Sequence, residues 1–180
     1  QGGAQAWFGV QADLATYGKL IGGGMPIGVV AGGARYMDAI DGGAWRFGDD
    51  SCSASINTFI AGTFSAYLLA MACARALLRH LVAAGPALQR ELNARTRHLC
   101  ARLNDVFADH KLPIHVVHFG SLLRFVLPPE LAVFFHRLVA RGLYVWELRN
   151  LFLTTAHSDE DLDQVVAVVR ESAGWLRERV

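Results

Sequence analysis

Lysine is almost missing from this chain. Of its 17 basic residues only Lys19 and Lys111 are lysines, so a lysine here calls for a local reason. Other scarcities are as informative. The three cysteines, Cys52, Cys73 and Cys100, are odd in number and widely spaced, which points to neither a disulfide framework nor a zinc site. The histidines show no ligand spacing, and no metal is expected. Charged residues make up 18% of the chain and the formal net charge is +1. The arginines are scattered along helical stretches instead of gathered into runs, so no nucleic-acid partner is indicated. The apolar stretch from Phe59 to Cys73 is interrupted by Gly62, Thr63, Ser65 and Tyr67, which leaves it short of a membrane-spanning helix. No basic-then-apolar leader opens the chain. A reducing, cytoplasmic setting with no membrane and no nucleic acid is the expectation. Apolar residues, by contrast, are plentiful: 53% of 180 residues suffices for a real core.

Two textures divide the sequence. Residues 1 to 64 hold most of the glycines and read as short strands and loops, whereas the remainder follows helical periodicity. From Ser65, a candidate N-cap, an Ala- and Leu-rich helix runs to Gly85-Pro86, a stop-and-restart signal. A second helix then runs to about Asp109, with Leu88, Leu92, Leu99, Leu103 and Phe107 as its apolar stripe. The segments IHVVHFG and SLLRFVLP, parted by Gly120-Ser121, read as strands, followed by a helix from about Pro129 to Arg141 closed by Gly142. LYVWE and LFLTTA read as further strands. Ser158 with Asp159, Glu160 and Asp161 is an N-cap and acidic first turn that opens the last helix. The expected division is 1–64, interdomain helices over 65–110, and an α+β lobe over 111–180.

Lys111 sits in a polar loop, DHKLP. Lys19 sits in ATYGKLIGGGMPIGVVAGG, between apolar residues and three consecutive glycines, a setting that strips water from an ammonium group. An amine so desolvated loses its proton more readily and becomes a nucleophile toward an aldehyde. The glycines permit backbone conformations and close approaches closed to other residues. A phosphate-binding Walker loop is a poor rival, because the lysine precedes the glycines instead of following them.

The run from Asp13 to Gly28 closely resembles the cofactor-lysine motif of class III aminotransferases, especially the glutamate-1-semialdehyde aminomutase subgroup. The resemblance implies an α/β protein: the C-terminal part of a fold-type-I transferase that depends on pyridoxal 5'-phosphate. Residues 1–64 would be the end of the large domain and 111–180 the α+β small domain. Lys19 would form the Schiff base to pyridoxal phosphate and act as catalytic lysine. The segment from Thr58 to Ala66 is similar to the family's Gly-Thr-Phe segment, implying that Gly62 and Thr63 bind the cofactor phosphate across a homodimer interface. Unpaired N–H groups, a hydroxyl and a helix dipole at a Gly-Thr helix start suit an anion.

LYVWELRNLFLTTAHSDEDLDQVV resembles the C-terminal end of the same subgroup, particularly aminotransferase domains in peptide and polyketide assembly lines. Leu148 stands where that pattern has glycine. Glu147 and Arg149 are the candidate substrate-binding residues, with Asn150 aligned near the family's carboxylate-binding arginine, and His157 precedes the last helix. The implied activity moves an amino group between an amine donor and a keto or aldehyde acceptor, free or carrier-bound. The alternatives are glutamate-1-semialdehyde 2,1-aminomutase and a non-catalytic remnant. The family's partner carboxylate for the pyridine nitrogen would lie upstream of Gln1, so the 180 residues alone are expected to be inactive and to expose unpaired strand edges and apolar surface.

Overall fold

The computed structural model describes residues 3–41, 48–50 and 62–179. Cys52 and the stretch from Thr58 to Ala61 lie outside the described residues. The chain forms two compact units, Gln1–Gly85 and Pro86–Val180.

In the first unit a short helix, α1 (Gly3–Phe8), precedes an antiparallel pair, β1 (Leu14–Gly18) and β2 (Gly28–Gly32), in a register that sets Tyr17 opposite Val29 and Gly18 opposite Gly28. Gly32 is required at the far end of the ladder: a methyl group there would lie 2.5 Å from the Asp13 carbonyl oxygen. Helix α2 (Ala34–Asp41) follows, and after it comes the first half of α3 (Leu68–Asp109). Gly85, at φ 65 and ψ −167, interrupts α3 just before Pro86. The stop-and-restart signal therefore marks a real break between two helices in series. Ser65 is not the N-cap. Ala66 takes a left-handed φ of 54, which ends the preceding turn, and the first helical hydrogen bond runs from the Met71 N–H to the Tyr67 carbonyl.

The second unit is built on helix α3 from Pro86 onward, a three-stranded antiparallel sheet of β3 (His115–Phe119), β4 (Leu122–Val126) and β5 (Leu151–Phe152) in that order, and helices α4 (Val133–Ala140) and α5 (Asp159–Arg177). Its core is one cluster in which α3 contributes Leu99, Leu103 and Phe107, the sheet Val116, Leu123 and Phe125, and the later helices Phe134, Leu138, Val169 and Leu176. Phe107, Phe125, Phe134 and Phe135 meet edge to face, the closest ring centroids 5.6 Å apart, an arrangement aromatic quadrupoles favour. Asn104 joins α3 to β3 by accepting from the Val116 N–H and donating to the Val116 carbonyl, at 2.6 and 3.1 Å. Burial pushes the Cys100 thiol up to about 11, so it behaves as a small apolar side chain.

In the second unit α3 and α4 end alike. In α3 the Leu112 N–H returns to the Phe107 carbonyl and the Lys111 N–H to Ala108; in α4 Leu143 returns to Leu138 and Gly142 to Val139. These are Schellman caps, with Lys111 (φ 53) and Gly142 (φ 86) as the left-handed residue. At the start of α5 Ser158 caps the helix through the Asp161 N–H, and the Asp161 carboxylate accepts from the Ser158 N–H. This reciprocal pair is a capping box.

LYVWE is not a strand. Val145 is buried, but the Arg149 N–H closes a turn onto the Trp146 carbonyl at 3.2 Å, and the chain reaches the sheet only at Leu151 and Phe152. LFLTTA likewise shortens to two paired residues.

Candidate functional site

Lys19 stands directly after β1, where the strand gives way to a single 3-10 turn, Lys19–Gly22, ended by Gly23 in the left-handed conformation with its N–H on the Leu20 carbonyl. Lys19 itself takes φ 50. A left-handed backbone in a long-chain residue costs on the order of 1–2 kcal/mol, and such strain concentrates where function holds a residue in place. Met25 donates to the Gly22 carbonyl at 3.1 Å, so the segment between the strands is a sequence of closed turns. Lys19, Leu20, Met25 and Pro26 line one side of an open concavity of about 650 Å³, and Leu77 of α3 lines the other.

The side chain of Lys19 is exposed. This corrects the desolvated setting inferred from its apolar neighbours: Leu20 is 81% exposed and Tyr17 46%, so the flanking apolar residues do not close over the amine. The sequence showed which residues flank Lys19 but not that they face solvent in this chain. Leu77 and the helix face to which it belongs were not singled out from sequence. Their signal is the spacing Ala70, Cys73, Ala74, Leu77, at i, i+3, i+4 and i+7.

Gly62 and Thr63 lie in a turn ahead of α3, closed by the Ser65 N–H on the Gly62 carbonyl at 2.9 Å. The helix start expected at this step is displaced to Leu68, because the chain makes one more turn, the Tyr67 N–H on the Phe64 carbonyl, before it can propagate. Thr63 is exposed and makes no hydrogen bond to another described residue, which leaves its hydroxyl and N–H open to a ligand. Thr63 does not line the Lys19 concavity.

Glu147 and Arg149 belong to the second unit. The Arg149 guanidinium lies 5.5 Å above the Trp146 ring, a cation–π distance, and both residues are exposed. Between them Leu148 adopts φ 54, at the third position of a turn where glycine avoids the strain. The turn forms regardless of the leucine, at a cost of about 1–2 kcal/mol. His157 accepts the Thr154 N–H through Nδ1 at 3.1 Å, and the carbonyl of His157 takes a hydrogen bond from Arg95, which fixes the residue at the strand–helix junction. Lys19 and Thr63 belong to the first unit, and Glu147 and Arg149 to the second.

A family model described as aminotransferase class-III matches residues 2–170. The glutamate-1-semialdehyde 2,1-aminomutase of Alkaliphilus oremlandii (strain OhILAs) is 30% identical to this chain, over 99% of it and 42% of the relative. That of Anaeromyxobacter sp. (strain Fw109-5) is 32% identical, over 92% and 39%. Among solved structures, an omega-transaminase from Sphaerobacter thermophilus aligns with a TM-score of 0.81 at 25% identity, covering 98% of this chain and 41% of its own. A beta-phenylalanine aminotransferase from Variovorax paradoxus aligns at 0.76 and 27%, covering 96% and 41%. The chain spans about two fifths of the length of the curated relatives it matches. Its α/β architecture is a part of the fold-type-I transaminase architecture of these neighbours. With the lysine turn, the hairpin around it and nearly the whole length of the chain accounted for by that alignment, the chain belongs to the class III aminotransferase family.

Proposed function

We propose that this chain is the C-terminal part of a pyridoxal-phosphate-dependent enzyme that moves an amino group from an amine donor to a keto or aldehyde acceptor, with Lys19 as its catalytic lysine. The observation that carries the reading is Lys19 in a strained turn on the wall of a concavity, within the residues matched by the family model.

The residues present fit the cofactor. A primary amine faces an open concavity of about 650 Å³ beside Leu20, Met25 and Pro26, and Thr63 supplies an open hydroxyl for a phosphate group. Pyridoxal phosphate, when bound, supplies an aldehyde for the amine and an electron sink for the carbon next to the substrate nitrogen. Lys19 would hold the cofactor through Nζ, and the same Nζ would be the base that carries the proton between the substrate carbon bearing nitrogen and C4′ of the cofactor. Gly62 and Thr63 would hold the phosphate of the cofactor bound by the neighbouring subunit, across the homodimer interface. Glu147 and Arg149 bind the polar end of a small-molecule or carrier-bound substrate, Arg149 with its guanidinium over the Trp146 ring.

The intact protein is proposed to be a cytoplasmic homodimer, with residues 1–64 ending the large domain, 65–110 joining the domains and 111–180 forming the small domain. A second reading, transfer within one molecule as in glutamate-1-semialdehyde 2,1-aminomutase, is favoured by the identity of 30% and 32% to two such enzymes. Products formed from glutamate-1-semialdehyde without any added donor separate it from intermolecular transfer.

Borohydride reduction of the intact, loaded protein followed by peptide mapping is expected to place the cofactor on Lys19. Label on Lys111 would overturn the assignment, and absence of label from both lysines would favour the non-catalytic remnant.

Replacing Thr63 by alanine is expected to weaken retention of the cofactor in the intact protein by about 1–3 kcal/mol, the range for a hydrogen bond to a charged group. Equilibrium dialysis against free cofactor measures this, and an unaltered affinity would remove Thr63 from the phosphate site.

A further inference from the structure

The three consecutive glycines after Lys19 are held by different neighbours. A methyl group on Gly22 would lie 2.9 Å from Ile27 Cγ2, one on Gly23 would lie 3.2 Å from the carbonyl oxygen of Cys73, and one on Gly24 would meet nothing within 4 Å. Gly23 and Gly24 both have left-handed backbone, at φ 59 and 95. The conformational penalty of a side chain is at least as large at Gly24, whose φ lies beyond the favoured left-handed well. Only at Gly23 does helix α3 stand in the way.

Cys73 lies on the α3 face formed by Ala70, Cys73, Ala74 and Leu77, which share one side of a helix by their spacing. Ala70 and Ala74 are buried, and Leu77 is the helix residue that shares the concavity with Lys19. Small side chains on this face let the loop backbone come down onto the helix backbone.

We propose that the close approach of Gly23 to the Cys73 carbonyl positions Lys19, making Gly23 and Cys73 positioning residues for the amine. The proposal rests on Lys19 being the cofactor lysine. The 3-10 turn Lys19–Gly22 is closed at its end by the Gly23 N–H on Leu20, and the next turn by Met25 on Gly22, both at 3.1 Å. A displacement at Gly23 is therefore transmitted to Lys19 and not absorbed by slack chain. The helix sets the height of the turn, the turn sets the place of Nζ, and Leu77, one helical turn beyond Cys73, forms the wall facing it.

The test compares Gly23→Ala with Gly24→Ala in the intact protein loaded with pyridoxal phosphate. Two quantities are read: the rate at which borohydride fixes the cofactor on Lys19 at saturating cofactor, and the pH at which the visible band titrates. A misplaced reacting group loses one to two powers of ten in rate. Gly23→Ala is expected to slow capture roughly tenfold more than Gly24→Ala does, and to move the titration further. Equal effects in the two variants, large or small, overturn the positioning role and leave Lys19 as the cofactor lysine. Absence of label on Lys19 in the unsubstituted protein overturns the functional reading itself. Should Gly23→Ala fail to fold, Cys73→Leu thickens the helix side of the same contact: slowed capture supports the proposal, and unchanged capture overturns it.

Discussion

Lys19→Ala in the intact protein is expected to lose the visible absorbance of covalently held cofactor entirely and to lower turnover by about a thousandfold or more, since both the attachment point and the proton carrier disappear together. Lys111→Ala is expected to leave the absorbance untouched. The contrast follows from how each lysine is used. Lys111 is the left-handed residue of the Schellman cap at the end of α3, its N–H on Ala108 and its neighbour Leu112 buried next to the helix. Its backbone conformation matters there, and its ammonium group makes no ion pair with a described residue. Lys19 has the same backbone conformation but faces a concavity. Absorbance spectra and steady-state rates of the two variants check this, and a full visible band in Lys19→Ala would sink the catalytic assignment.

The second large effect is structural. Phe134→Ala is expected to destabilise the lobe formed by residues 86–180 by about 3–5 kcal/mol, the range for emptying a fully buried aromatic site. Phe134 has 0% exposure and touches Phe107, Phe125 and Phe135 edge to face. These partners come from α3, β4 and α4 itself, so a collapse that fills the hole must move three elements at once. Val133, its neighbour, is 46% exposed, and Val133→Ala is expected to cost well under about 1 kcal/mol. Urea unfolding followed by the helical circular dichroism signal compares them, and a loss in Phe134→Ala no greater than in Val133→Ala would show that the ring cluster does not hold the lobe together.

Features whose causes are local could be read from the sequence. The Ser158 N-cap of α5, the Gly85-Pro86 break and the Gly142 cap each depend on one or two residue types with a backbone role, and the lysine motif that carries the family resemblance depends on a fixed order of Lys, Gly and Pro. Features set by neighbours could not. LYVWE has strand composition, yet the turn from Trp146 to Arg149 takes it off the sheet, and Leu148 gives no sign of its positive φ because leucine almost never has one. Lys111 caps a helix in the same conformation, where glycine would have been recognised. The apolar residues beside Lys19 suggested burial, but burial depends on what covers a side chain, and in this chain Leu20 and Tyr17 remain uncovered. The approach of Gly23 to Cys73 joins residues far apart in sequence, and nothing in the glycine triplet says which of its members touches a helix.

The uneven placement of the core bears on how substitutions in this chain are scored. Among the described residues, the buried hydrophobic side chains of the first unit are Ala70 and Ala74, whereas the other unit buries the cluster from Leu99 to Leu176. A selection for folded, soluble variants of these 180 residues therefore reads mainly the part after Pro86. Changes at Tyr17, Leu20 or Val30, all substantially exposed here, pass such a selection almost unnoticed even where they alter the surroundings of Lys19. Variant libraries aimed at the lysine turn need a chemical readout, such as amine labelling, because a readout of stability is nearly blind to that part of the chain.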